Sequence, residues 1–168
     1  MTASLREKLR AKTRRSLIYS IAIADTAETE QAAEQARAEH RLALFRGGED
    51  SDEAKKAKKA LDKAEKTEAA CYEQVTIQAL PAADFEALAD AHPRRDGDPD
   101  DAMWHVDTFR PALLAACADS DMTEEDWTRF FKESASYGDS LGLLNAALDV
   151  NTRAPSPTVP KGSTPIRS

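Results

Sequence analysis

The chain has 168 residues with a formal net charge of −7, which allows one domain or one compact domain with an appendage. Apolar residues make up 41% but aromatic residues only 6%, so a core must be concentrated in part of the chain. No apolar run approaches the roughly twenty residues of a membrane span, and residues 82–150 carry sixteen acids against five bases, which disfavours nucleic-acid binding.

Residues 1–14 are expected to form a basic N-terminal arm. Residues 1–15 contain six Lys or Arg residues against Glu7. The residues that follow are polar and charged, so this start is not typical of a targeting peptide. An arm this short would bind phosphates weakly and in a salt-sensitive way.

Residues 15–80 are predicted to form two strands that flank a charged helical hairpin. The run RSLIYSIAI over residues 15–23 alternates Leu17, Tyr19, Ile21 and Ile23, and residues 73–80 alternate again with Val75, Ile77 and Ala79. A lone strand would leave backbone groups unpaired on both edges. We therefore expect the two strands to pair with each other in antiparallel fashion, with the hairpin inserted between them.

The hairpin itself is predicted from capping and alanine spacing. Asp25 and Glu28 have the spacing of a capping box before a helix that runs to Phe45 and stops at the glycines 47–48. A second helix is expected from residues 51–52 to about Cys71, with a packing seam of Ala54, Ala57, Leu61 and Ala64. Alanine seams bury little apolar area, and buried apolar area contributes about 25 cal/mol per Å², so the hairpin would be weakly stabilised unless something else covers it. The lysine-rich face of the second helix is typical of a solvated surface.

Residues 81–151 are predicted to form a compact domain of four helices. The first is expected from Pro81 to about His92, ended by Pro93, with Phe85 and Leu88 buried. The second is expected to start near residues 107–108, to hold Pro111 in its first turn and to bury the apolar residues Phe109, Leu113, Leu114 and Cys117.

The third helix of this domain is expected to begin at a cap formed by Thr123 and Asp126. The fourth is expected to begin near Asp139 and to present Leu141, Leu144 and Leu148 on one stripe. Residues 152–168 hold half of the prolines and almost no apolar bulk, which predicts a disordered tail. The sequence as a whole predicts a mainly α protein with a minor β element.

Several residues are candidates for reactive or metal-binding groups. Asp96, Asp98, Asp100 and Asp107 follow the spacing of a calcium loop, but Asp101 replaces the turn glycine, Pro99 stiffens the loop, and Asp107 is short for the bidentate position. We therefore expect a solvated acidic loop and no metal.

Neither His92 nor His105 has a nucleophilic residue at the spacing of a catalytic motif. The sequence also has no phosphate-binding glycine loop and no Ser, Cys or metal motif whose spacing specifies a reaction. The cysteines 71 and 117 lack CxxC spacing and are expected to be small buried hydrophobes of a cytosolic protein. We expect no enzymatic activity and no cofactor.

The aromatic residues Trp127, Phe130 and Phe131 are the candidate residues for binding a protein partner. They lie within five residues of one another, so one turn of helix cannot place all three on a narrow stripe. They could all belong to the core, or one or more could face outward as a hydrophobic docking patch.

The stretch from Leu80 to Arg153 contains, in order, DFEALADAHP, an acidic gap, TFRPALLAAC, MTEEDW and LNAALDVNTR. In order and spacing, these segments resemble the tail assembly chaperones of long-tailed (siphovirus-type) actinobacterial phages. The preceding strand, charged hairpin and strand fit the same pattern, so the resemblance covers most of the chain. The hairpin is unusually rich in alanine and lysine for that family, and Arg94 and Arg95 follow Pro93 where another proline or small polar residues would be expected.

The resemblance implies a non-enzymatic function in tail morphogenesis. In that family the short protein, and a long form made by programmed ribosomal frameshifting, coat the tape measure protein and recruit subunits of the tail tube, the major tail protein. The expected partners are therefore the tape measure protein, the tail tube protein and the frameshifted long form of the chain itself. The expected location is the host cell cytoplasm during assembly, and not the mature virion.

A second hypothesis belongs to a different class. The chain could be a non-enzymatic coiled-coil adaptor or regulatory protein of a bacterial host, with the hairpin as a dimerisation arm. A gene between the tail tube and tape measure genes, with a slippery heptanucleotide before its stop codon, would favour the phage hypothesis.

Overall fold

The computed structural model describes residues 4–153, which form seven helices and two strands. In chain order these are α1 (Leu5–Arg10), β1 (Ser16–Ala22), α2 (Ala27–Gly47), α3 (Asp52–Ala69), β2 (Tyr72–Gln78), α4 (Ala82–Ala91), α5 (Val106–Cys117), α6 (Glu124–Glu133) and α7 (Tyr137–Thr152). The protein is mainly helical with a small two-stranded antiparallel sheet, which confirms the predicted fold class. Most of the tail predicted over residues 152–168 lies outside the described residues.

The chain divides into two compact units. One unit is Ile18–Thr76, and the other combines residues 4–17 with residues 77–153. The first unit holds most of the sheet and the hairpin, and the second holds α1 and helices α4–α7. The N-terminal arm therefore belongs to the same unit as the four C-terminal helices.

The sheet pairs β1 with β2 and continues by one hydrogen bond beyond each end. The amide of Ile23 donates to the carbonyl of Cys71 at 2.8 Å, and the amide of Ala79 donates to the carbonyl of Arg15 at 2.8 Å. Along β1, half-buried and exposed residues alternate strictly from Ser16 to Ala22, as the apolar alternation predicts. Ile23, expected to continue the buried face, lies beyond the strand and is exposed.

Helices α2 and α3 pack against each other along small side chains. The buried residues of the pair are Ala33, Ala36, Ala43, Ala54 and Leu61, while Ala57 and Ala64 of the predicted seam are half-buried. Small side chains let two helix backbones approach closely.

The ends of the hairpin helices differ in part from the prediction. The expected capping box at Asp25 and Glu28 is wrong, because the N-cap of α2 is Thr26, whose side chain makes no capping bond. Asp25 instead accepts a hydrogen bond from the amide of Ala27 at 3.0 Å. Helix α2 ends as predicted at the glycines, where Gly48 has a φ of 74° that other residues rarely adopt.

In the other unit, α5 is the central helix and packs against α4, α6 and α7. Phe109, Leu113 and Leu114 on α5 are fully buried, as predicted. Pro111 is also buried, but it lies in the second turn of the helix because α5 begins at Val106. The prediction of a first-turn proline is therefore wrong, and α5 lacks the backbone bond that an amide at this position would donate.

The start of α7 and the burial of several residues differ from what the sequence predicts. Helix α7 starts at Tyr137 with a capping box between Ser136 and Asp139, and its buried residues are Ser140, Leu143, Ala146, Ala147 and Val150. Leu141 of the expected stripe is 45% exposed. Phe85 and Leu88 on α4 are half-buried, and Cys71 is also only half-buried whereas Cys117 is buried.

Candidate docking surface

Helix α6 is fixed at its start by the capping box that the sequence predicts. The Thr123 hydroxyl accepts a hydrogen bond from the amide of Asp126 at 3.2 Å, and the Asp126 carboxylate accepts one from the amide of Thr123 at 3.0 Å. The Thr123 hydroxyl also bonds the carboxylate at 2.7 Å, and these bonds lower the pKa of Asp126. The reciprocal bonds satisfy amides that a helix start otherwise leaves unpaired.

The three candidate aromatic residues form one cluster but differ in exposure. Trp127 is 1% exposed, whereas Phe130 and Phe131 are half-buried. The Trp127 ring lies 5.9 Å from Phe130 and 6.0 Å from Phe131, and the two phenylalanine rings lie 5.4 Å apart. Trp127 is therefore a core residue, and Phe130 and Phe131 are the ones that reach the surface.

Arg110 on α5 contributes a cation to this cluster. Its guanidinium lies over the Phe131 ring at 4.2 Å from the ring centroid, within the range of a cation–π interaction. Burial lowers its pKa, and its Nε is buried without a hydrogen-bond partner among the described residues. Arg110 could not be predicted as part of this cluster, because no local sequence pattern connects two residues on different helices.

A groove of about 410 Å³ runs beside Phe130 on the edge of α6. It is lined by Met122 and Phe130 together with the polar residues Asp121, Asp126, Arg129, Glu133 and Ser134. The surface thus combines two aromatic side chains with flanking charges, which is the composition of many protein-binding sites.

The acidic loop before α5 is held by hydrogen bonds within itself. One Asp98 oxygen accepts the amide of Arg95 at 2.8 Å, and the carboxylate accepts Nδ1–H of His105 at 2.9 Å. These two bonds, the backbone one first, lower the pKa of Asp98. Asp100 pairs with Arg94 at 2.9 Å.

The two histidines of this region anchor the ends of the loop. Nδ1 of His92 lies 3.0 Å from the Thr108 hydroxyl, and the amide of His105 donates to the carbonyl of His92 at 3.0 Å. His105 itself bonds to Asp98. The Thr108 hydroxyl also lies 3.3 Å from the carbonyl oxygen of His105, so it connects His92 to the backbone at the start of α5.

Among residues 4–153, no group of three or more His, Cys, Asp or Glu side chains is arranged to hold a metal ion. In the same range no helix is long and apolar enough to cross a membrane. Burial raises the pKa of Cys117 to about 12, so its thiol stays protonated at neutral pH.

Comparison with known proteins returned no relative of this chain: no family model, no curated protein and no solved structure matches it.

Proposed function

We propose that this chain is a tail assembly chaperone of a long-tailed phage. In this proposal it binds the tape measure protein in the host cytoplasm, helps to recruit tail tube subunits, and is the short product of a frameshifted gene. The observation that carries the proposal is the ordered run of segments between Leu80 and Arg153 that resembles this family. These segments lie on helices α4 to α7, and α4, α6 and α7 each pack against α5.

The docking surface in this proposal is the cluster of Phe130 and Phe131 with Arg110. A long helical client is recognised through a few large apolar anchors spaced along one face. Phe130 and Phe131 are half-buried, so each can contact a client while it remains packed on Trp127. Acidic residues in the first turn of α6 would keep the unloaded protein soluble.

The proposal is tested by co-expression with the tape measure protein from the same gene cluster. The double variant F130A/F131A should abolish co-purification, since truncation of hot-spot aromatic residues costs about 2 kcal/mol or more each. The far-UV circular dichroism spectrum should remain that of the wild type. The matched control is Tyr137→Ala, which removes an exposed aromatic side chain from the same unit and should leave the complex intact.

Retention of the client by F130A/F131A would place the docking surface elsewhere. The variant Phe45→Ala is included for this reason, because Phe45 on α2 is 89% exposed. Loss of the client in Phe45→Ala, with F130A/F131A unaffected, would assign docking to the hairpin.

A second candidate function, that of a coiled-coil adaptor, rests on the exposure of Phe45. Leu42 and Phe45 expose apolar side chains near the end of α2, where a coiled-coil adaptor would contact a partner or a second copy. Sedimentation equilibrium separates the candidates: a dimer that Phe45→Ala dissociates would support the adaptor. A gene between those of the tail tube and tape measure, with a slippery heptanucleotide near its stop codon, would support the chaperone.

A further inference from the structure

A groove of about 800 Å³ lies between the N-terminal arm, the segment after β2 and the end of α7. All of its lining residues belong to the unit that contains helices α4–α7. The groove is separate from the aromatic cluster on α6, since the two share no lining residue.

The groove is strongly cationic. Its lining includes four basic side chains, Lys12, Arg14, Arg15 and Arg153. Arg15 and Arg153 both bond to Asp149, at 3.0 and 3.1 Å. Lys12 and Arg14 have no ion-pair partner among the described residues and are exposed. In a protein with a net charge of −7, this concentration of positive charge is a local exception that attracts anions.

The same groove has an apolar floor made by Leu80, Pro81 and Val150. Two hydrogen bonds fix the backbone beside it. The amide of Leu80 donates to the side-chain oxygen of Asn151 at 2.8 Å, and the amide of Ala79 donates to the carbonyl of Arg15. The floor is therefore held in place before any ligand arrives, which reduces the entropy cost of binding.

This combination of cations and aliphatic surface matches a peptide better than a nucleic acid. A single strand of nucleic acid binds through basic grooves with aromatic side chains on which bases stack, and none of the described residues that line this groove is aromatic. The acidic remainder of the protein would also repel a long polyanion. A short acidic peptide with aliphatic side chains avoids both difficulties.

We propose that this groove binds an acidic peptide segment whose carboxylates pair with Lys12 and Arg14 while an aliphatic side chain packs on Leu80, Pro81 and Val150. The site does not depend on the chaperone proposal, because it uses none of the residues of the α6 cluster. Arg15 and Arg153, already paired with Asp149, provide the remaining positive field around the peptide.

The test uses the full chain and a short fluorescein-labelled peptide of Glu-Glu-Leu repeats, with fluorescence anisotropy as the readout. The peptide should bind at low ionic strength and weaken as sodium chloride is added, because exposed ion pairs are screened. The variant K12E/R14E should weaken binding about tenfold, the sum of two exposed charge contacts. The matched control K55E/K59E reverses two exposed lysines on α3 and should bind like the wild type.

Two further peptides measure the contributions of charge and of apolar packing to binding separately. A Gln-Gln-Leu peptide should not bind measurably, and a Glu-Glu-Ser peptide should bind several-fold more weakly than the Glu-Glu-Leu peptide. Should K12E/R14E fail to fold, K12Q/R14Q replaces it with an expected loss of several-fold.

The proposal is overturned by any of four results: no salt-sensitive binding by the wild type, an unchanged affinity in the groove variant, an equal loss in the α3 control, or equal binding of the Gln-Gln-Leu peptide. An oligothymidylate that displaces the peptide at an equal concentration of negative charges would also overturn it, because the groove would then be a nucleic-acid contact.

Discussion

The indole N–H of Trp127 is buried and has no hydrogen-bond partner among the described residues. An unpaired buried donor costs about 1–3 kcal/mol relative to a paired one. The ring nevertheless fills the core, at 1% exposure, and contacts both phenylalanines of α6. The contribution of Trp127 to stability therefore comes from its apolar volume and not from its polar atom.

This predicts different outcomes for two substitutions of Trp127. Trp127→Ala should lower the free energy of unfolding by about 3–5 kcal/mol because it leaves a large cavity. Trp127→Phe should cost less than Trp127→Ala, because it keeps an aromatic ring, leaves a smaller cavity and removes a donor that has no partner among the described residues. Urea denaturation followed by circular dichroism measures both, and a loss in Trp127→Phe as large as that in Trp127→Ala would contradict this assignment.

Asp98 connects the acidic loop to His105 and to the backbone of Arg95. Its carboxylate is stabilised in the folded protein, so its folded pKa lies below the unfolded value of about 3.9. The stability that it contributes is therefore present above the unfolded pKa and is lost as the pH falls through the folded pKa.

We accordingly expect Asp98→Asn to lower the Tm at pH 7 and to have less effect as the pH drops below about 4. The control is Asp96→Asn, since Asp96 is exposed; it should leave the Tm unchanged at pH 7. Thermal scans between pH 3 and pH 7 give the comparison. A Tm difference between Asp98→Asn and wild type that stays constant over this range would contradict the assignment.

At the scale of the helices and strands, the sequence predicts a helix end well where one short-range interaction, such as a capping box or a terminal glycine, fixes that end. The Thr123–Asp126 box and the terminating glycine of α2 lie where the sequence predicts them. The serine boxes at Ser4 and Ser136 have the same spacing, so the α1 helix and the true start of α7 could also have been predicted from sequence.

Burial on α7 and the surface of α6 were not predictable in the same way. The buried stripe on α7 uses Ser140 and Ala147, whereas Leu141 points outward. Small residues are buried there because a neighbouring helix approaches closely, and only the packing partner decides this. The position of Arg110 over Phe131 likewise depends on how α5 and α6 pack.

The packing of α2 against α3 along small side chains can be tested by substitution. Ala33 on α2 is 0% exposed, whereas the adjacent Ala32 is exposed. Ala33→Leu should destabilise the unit by about 1–3 kcal/mol because the seam has no room for a larger side chain. Ala32→Leu adds the same atoms on the solvent side and should change stability by less than about 0.5 kcal/mol.

The readout is the far-UV circular dichroism signal during urea unfolding. Equal stabilities for Ala33→Leu and Ala32→Leu would show that α2 and α3 do not pack along this seam in solution.

At the scale of the whole molecule, the two compact units predict separable unfolding. Both tryptophans of the chain, Trp104 and Trp127, lie in the unit that contains helices α4–α7. Tryptophan fluorescence therefore reports on that unit, while circular dichroism at 222 nm reports helices of both.

Replacement of residues 27–70 by a short linker should leave the helical unit folded, with a cooperative fluorescence transition close to that of the full chain. The circular dichroism amplitude should fall because the long helices α2 and α3 are removed. Loss of the cooperative fluorescence transition in this deletion would show that the hairpin is needed for the fold of the helical unit.

The hydrogen bond from the amide of Ile23 to the carbonyl of Cys71 closes the base of the hairpin, and this has a consequence for how the protein could vary in length. Because the chain leaves and re-enters the sheet at neighbouring residues, equal numbers of turns can be added to both hairpin helices without moving either strand. Each residue added to both helices would extend the hairpin by about 1.5 Å. The reach of the hairpin can thus be altered by insertion or deletion while the sheet at its base keeps its register.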